Sequence, residues 1–138
     1  MNFGGDFPTK KASTYVKLQQ AYFSENNQIG GWDMIGYIAP NGGETTNFYY
    51  GAAIAHTGSA SQNAKNVVGW AADNKVTLNE CVAGTVMKTA KATNATTGSH
   101  WIVEVSVNTG TQADVTFDAS ANGAGCVALT PSFANIGK

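Results

Sequence analysis

Arginine is absent from this 138-residue sequence, so its basic charge rests on eight lysines, set against nine acidic residues for a formal net charge of −1. Lys10-Lys11 is the only adjacent basic pair. A nucleic-acid surface gathers Lys and Arg into a stripe or patch, and no such stripe exists here, so nucleic acid is excluded as an expected partner. Long apolar runs are missing too. Stretches such as Gly51 to Ala55 fall far short of the roughly 20 residues needed to span a bilayer, and no secretory signal precedes them. Histidine and cysteine are each present only twice. Neither cysteine sits in a C-x-x-C spacing, and His56 and His100 are distant in sequence from Cys81 and Cys126, so no metal or cofactor is expected.

What is plentiful is Gly, Ala, Thr and Asn, a balance typical of secreted or cell-surface β-rich proteins. The length suits one domain with a real core. Residues 1–11 read as a leader remnant, and residues 12–138 as a single globular domain. Cys81 and Cys126 lie 45 positions apart, either as two free thiols or, the better reading, as a disulfide formed in an oxidising compartment. Closing a loop of that size stabilises a fold by roughly 4 kcal/mol in the chain-entropy model.

The segment Ala12 to Glu25 organises the chain. Tyr15, Leu18 and Tyr22, with Val16 and Phe23 a step across, recur at helical spacing and leave Lys17, Gln20 and Ser24 opposite. Pro8-Thr9 suits the start of this helix and Asn26-Asn27 its stop. The remainder alternates or turns. Strands are expected at Trp32 to Ala39 and Thr45 to Ile54, paired as a hairpin across Pro40-Asn41-Gly42-Gly43, with a bulge at Gly51. An exposed loop from His56 to Asn66 leads to a strand at Val67 to Ala72, a tight turn at Asp73-Asn74 and a strand at Lys75 to Val82. Thr85 to Lys91 continues the meander and Asn94 to Ser99 is a loop. The clearest strand is His100 to Asn108, where Trp101, Val103, Val105 and Val107 share one face. Thr109 to Gln112 turns it into Asp114 to Ala119, and Cys126 to Pro131 makes a last short strand. One helix followed by six or seven short strands on tight turns predicts an α+β fold, the helix packed on an antiparallel meander sheet.

Few residues promise chemistry. His100 with Glu104 makes an unconvincing base and orienting pair, since both can face solvent, and His56 reads as a solvated loop side chain. Asp114 and Asp118 share a strand face, but a solubilising surface explains them more simply than a glycosidase pair. Gly30-Gly31, Gly42-Gly43 and Gly123-Ala124-Gly125 are turn glycines without phosphate-loop spacing. Asn94-Ala95-Thr96 fits a glycosylation sequon, read here as accidental. No enzyme is expected. The aromatics hold more interest: Trp32, Trp70, Tyr49 and Tyr50 form a candidate stacking face for sugar rings. Trp101 and Tyr37 read as core because they sit on apolar strand faces, whereas Trp32 and Trp70 suit either role.

The runs STYVKLQQAYFSENNQIGGWDMIGYIAP and GWAADNKVTLNECVAG, with the closing CVALTPSF, resemble the globular part of a type IV pilin. They are most similar to pilin-type subunits of fibre-degrading anaerobic bacteria. The resemblance covers about Ser13 to Val82 and the tail, and is most specific in the helix and in Trp32-Asp33-Met34-Ile35-Gly36-Tyr37. It implies a structural subunit on the cell surface whose partners are other copies in a helical filament, with an adhesive role and a polysaccharide surface as a further partner. Ala12 to Glu25 is then the second half of a long helix lying across the sheet, and Cys81 and Cys126 the bridge that pins the C-terminal region. The apolar first half, which would supply the only contact with the inner membrane, has no counterpart here. The alternative is a secreted carbohydrate-binding module.

Overall fold

Nineteen residues, Pro8–Asn26, coil into helix α1. The computed structural model describes residues 8–54, 56–58, 64–85, 99–108 and 113–138. Helix α1 opens at Pro8, the start that Pro8-Thr9 suits, with Pro8 buried in its first turn, where a missing N–H costs nothing. It ends as the sequence predicts: Asn27 takes a left-handed φ of 57° and its N–H bonds back to the Phe23 carbonyl. Ala12, Tyr15, Val16 and Phe23 are buried, Leu18 and Tyr22 half-buried, and Lys17, Gln20 and Ser24 exposed. Gln19 is fully buried on the same face, which apolar periodicity alone does not foresee.

The sheet has four strands in the order β1 (Phe48–Gly51), β2 (Val67–Asn74), β3 (Trp101–Asn108) and β4 (Asp114–Ala121). All neighbours are antiparallel, so the α+β meander is as expected, with four strands among the described residues. Strand β3 alternates as its sequence does: Trp101, Val103, Val105 and Val107 are buried against the α1 layer. In β4, Val115, Phe117 and Ala119 stand opposite Val107, Val105 and Val103 in unbroken register. Three expected strands take other forms. Trp32–Ile35 is a single helical turn, α2, closed by Gly36 at φ 79°, a conformation that only glycine adopts cheaply. Pro40–Gly43 is a 3₁₀ turn leading to β1, which pairs with β2 rather than with the 32–39 segment, so that hairpin does not exist. The 75–82 segment is a looped arm closed by a Leu78–Cys81 bridge, and Asp73-Asn74, expected as a tight turn, is the buried end of β2. Ala124–Leu129 is helix α3, not a strand. Expectations for residues 86–98 and 109–112, which include the sequon, lie outside the described residues.

One backbone unit joins these layers. The ladder between β2 and β3 slips between Val68 and Trp70, so the bulge lies at Gly69 and not at Gly51. The freed Gly69 carbonyl accepts the indole N–H of Trp32 at 2.9 Å. Over the same glycine sits the Tyr15 hydroxyl, and a Cβ here would collide with it and with Val105 Cγ2. Next to it, Gln19 Nε2 donates to Tyr15 Oη and to the Gly30 carbonyl, each at 2.9 Å, while Gly30 N–H donates to Gln19 Oε1 at 2.9 Å. The side-chain amide thus pairs with the Gly30 backbone as a neighbouring strand would.

Gln19→Leu keeps the volume but strands the buried Gly30 N–H and C=O, so a loss of about 2–4 kcal/mol is expected in denaturant unfolding. An unchanged midpoint would mean the amide is idle. Burial also raises the pKa of Tyr15, partly offset by its Gln19 bond, and pushes Tyr37 up to about 12 despite its bond from Trp70. Both exceed the unfolded value near 10, so the fold keeps the neutral phenols. Stability is complete below about pH 10 and declines as pH rises toward about 12, by about 1.4 kcal/mol per unit for each phenol. Tyr37→Phe should therefore lose stability more slowly than the parent over that window; parallel curves would refute the assignment.

Candidate functional site

The proposed sugar-stacking aromatics are spent on the interior. Trp70 and Tyr50 are 0% exposed and Trp32 is 3% exposed. Each indole N–H is used inside: Trp32 on the Gly69 carbonyl, Trp70 on Tyr37 Oη at 3.0 Å, and Trp101 on Thr130 Oγ1 at 2.8 Å. A sugar needs an open ring face, and these three rings offer none. Tyr49 alone is half-exposed, on the opposite sheet face, with Lys75 Nζ 5.1 Å from its ring centre. The misreading has a plain cause. Flanking polar and Gly-rich residues suggested exposure at Trp32 and Trp70, whereas the Gly69 bulge gives the one an acceptor and Tyr37 gives it to the other. His56, read as solvated, stacks on Trp32 with ring centres 4.5 Å apart, and its carbonyl accepts the Asp33 N–H.

Polar groups gather instead at the disulfide corner. Cys81 and Cys126 are bonded, and both are buried. The bond itself is as the sequence favoured, and it fastens the 75–82 arm to α3, where strands were expected. Asn74, at the end of β2, holds the arm from beneath: its Nδ2 donates to the carbonyls of Val76, Cys81 and Val82 at 2.8, 2.9 and 3.1 Å. That fixes Oδ1 as the acceptor facing His100, whose Nδ1 lies 2.7 Å away and therefore carries the proton. His100 N–H donates to Asp73 Oδ1 at 2.7 Å, and the ring nitrogen stands 3.7 Å from the same oxygen. The histidine thus meets Asp73 rather than Glu104, which lies on β3 opposite Asp118. His100 Nδ1 is also 3.8 Å from Cys81 Sγ, so the fold joins residues that the sequence spacing separates.

Two shallow grooves flank α1. One of about 400 Å³ is lined by Ser13, Lys17, Gln20 and Lys138; the other, about 420 Å³, by Gln20, Ser24, Asn27 and Asp114. Asp114 and Asp118 are exposed on β4, where Lys138 Nζ lies 3.8 Å from Asp118. Their separation along the strand and their solvation suit a soluble surface.

Reducing and alkylating Cys81 and Cys126 should lower the thermal midpoint by something like 10–20 °C, the equivalent of roughly 4 kcal/mol in a chain of this size. A midpoint that does not move would show that the cross-link carries no stability. No family model, curated protein or solved structure matches this chain.

Proposed function

We propose that this chain is the globular head of a type IV pilin-like subunit, a structural protein of a cell-surface filament whose partners are further copies of itself. The observation that carries the reading is the placing of α1 along one face of a four-stranded antiparallel meander, while a disulfide pins the C-terminal segment to the arm that follows β2. A subunit of this kind needs a rigid helix-to-sheet joint and a locked C-terminal region. The Gln19–Gly30 pairing holds the return segment on α1, the Trp32 indole ties that segment to Gly69 of β2, and the Cys81–Cys126 bridge locks the C-terminal segment. The cross-link suits an oxidising destination outside the cytoplasm. The exposed side of the head is where adhesion to a surface would act. The carbohydrate-module reading is weaker, since Trp32, Trp70 and Tyr50 present no open face.

The test is to shear filaments from cells that make the protein and to measure the intact mass of the subunit recovered. The expected result is a protein in the filament fraction with some 20 additional apolar residues ahead of α1, the length that spans a bilayer. Recovery only as a monomer in the medium, beginning near Phe3, would end the filament reading.

A further inference from the structure

We propose that the dithiol form of the disulfide corner binds one zinc ion through Cys81 Sγ, Cys126 Sγ and His100 Nδ1, with the Asp73 carboxylate closing the fourth position. The inference does not depend on the filament reading. The three Cys and His ligand atoms lie within 4.8 Å of one another. In a tetrahedral site with Zn–S near 2.3 Å and Zn–N and Zn–O near 2.0–2.1 Å, the S···N edge is about 3.6 Å and the N···O edge about 3.4 Å. Here Cys81 Sγ to His100 Nδ1 is 3.8 Å and His100 Nδ1 to Asp73 Oδ1 is 3.7 Å. Both edges are close to those lengths before any ion arrives. The adjustments left are for the two sulfurs, bonded to each other in the oxidised chain, to move apart to about 3.8 Å, and for Asn74 Oδ1, 2.7 Å from His100 Nδ1, to draw back from the ion.

The surroundings support the donors. Two buried thiolates are costly without a counter-charge, and a divalent ion supplies it. Asn74 grips the Cys81 carbonyl from outside the donor set, and the Asp73 carboxylate, itself a ligand, also fixes the His100 N–H. Two sulfurs with one imidazole select a borderline-soft ion such as zinc over calcium or magnesium.

The chemistry balances in two steps. A dithiol reductant delivers two electrons and two protons to the Cys81–Cys126 bond, giving two thiols and the reductant's own disulfide. Zinc then displaces both thiol protons to solvent, while the proton on His100 Nδ1 leaves and one is taken up at Nε2. The ion takes the Nδ1 lone pair that carries the proton shared with Asn74 in the oxidised chain, and Asn74 Oδ1 draws back to admit it.

The test uses the whole chain, reduced with a phosphine under argon and titrated with Co2+ as an optical probe, then with Zn2+ in competition. One Co2+ per chain is expected, with thiolate-to-metal charge-transfer bands and the visible absorption of a tetrahedral ion, all displaced by Zn2+. His100→Ala should weaken binding by at least about tenfold. The oxidised protein should show no such bands. Zn2+ should also raise the thermal midpoint of the reduced chain over a sample held in chelator, and should restore its circular dichroism if reduction has unfolded it. Absence of the bands, equal affinity in His100→Ala, or a midpoint and spectrum indifferent to Zn2+ would overturn the site.

Discussion

A glutamine in the middle of an apolar helix face imposes a condition on everything near it, because a buried primary amide must find partners for both its donor and its acceptor. Gln19 meets that condition with Gly30, whose N–H and C=O it engages together, and with the hydroxyl of Tyr15 one turn back. The consequence is geometric. The chain leaving α1 at Asn26 must fold back at once to present Gly30 to the helix, and that return sets Trp32 where its indole reaches the Gly69 carbonyl. Helix, return segment and central strand are thereby fixed by directional bonds, and the apolar core fills in around them.

The same contacts explain why β2 needs its irregularity. A regular strand would turn the Gly69 carbonyl into the ladder and put a Cβ beneath the Tyr15 ring. The bulge releases the carbonyl, and glycine leaves room for the phenol. Tyr37 then bridges the layers, accepting from Trp70 and meeting Tyr15 edge-on with ring centres 5.9 Å apart. Apolar burial supplies most of the stabilisation here, while the polar groups of the three tryptophans and two tyrosines select one arrangement from the many that would bury the same surface.

How much of this the sequence displays follows from whether a signal is local. In α1 and in the β3–β4 hairpin the period of the apolar residues alone decides the outcome, so Tyr15, Phe23, Val103, Val105 and Phe117 are legible. The 32–39 segment also carries an honest alternation, since Ile35, Tyr37 and Ala39 are buried with Gly36 and Ile38 exposed, yet among the described residues no strand pairs with it. Alternation reports which side faces the core and says nothing about a neighbouring backbone. The 75–82 arm is unreadable for a related reason: its shape is dictated by Asn74 from below and by Cys126 from the side. Likewise the meeting of His100 with Cys81 and Asp73 is a product of tertiary packing, invisible to spacing rules that look for ligands close in sequence.

The order of the strands carries a consequence for how the chain assembles. Each strand pairs with its neighbour in sequence, so every ladder closes a modest loop at small entropic cost. The β3–β4 hairpin, with eight paired residues and the shortest connection, is the natural nucleus. Helix α1 is made first on the ribosome but has nothing to sit on until Gly69 and β3 exist, so it docks late onto a sheet built after it. Cys126 emerges later still, and the covalent lock closes only once the chain meets an oxidising environment. Before that moment the arm after β2 is held by Asn74, by the bonds of Lys75 to Asn47 and Thr45, and by the burial of Leu78. The cross-link is a seal on a finished fold and not a guide to it.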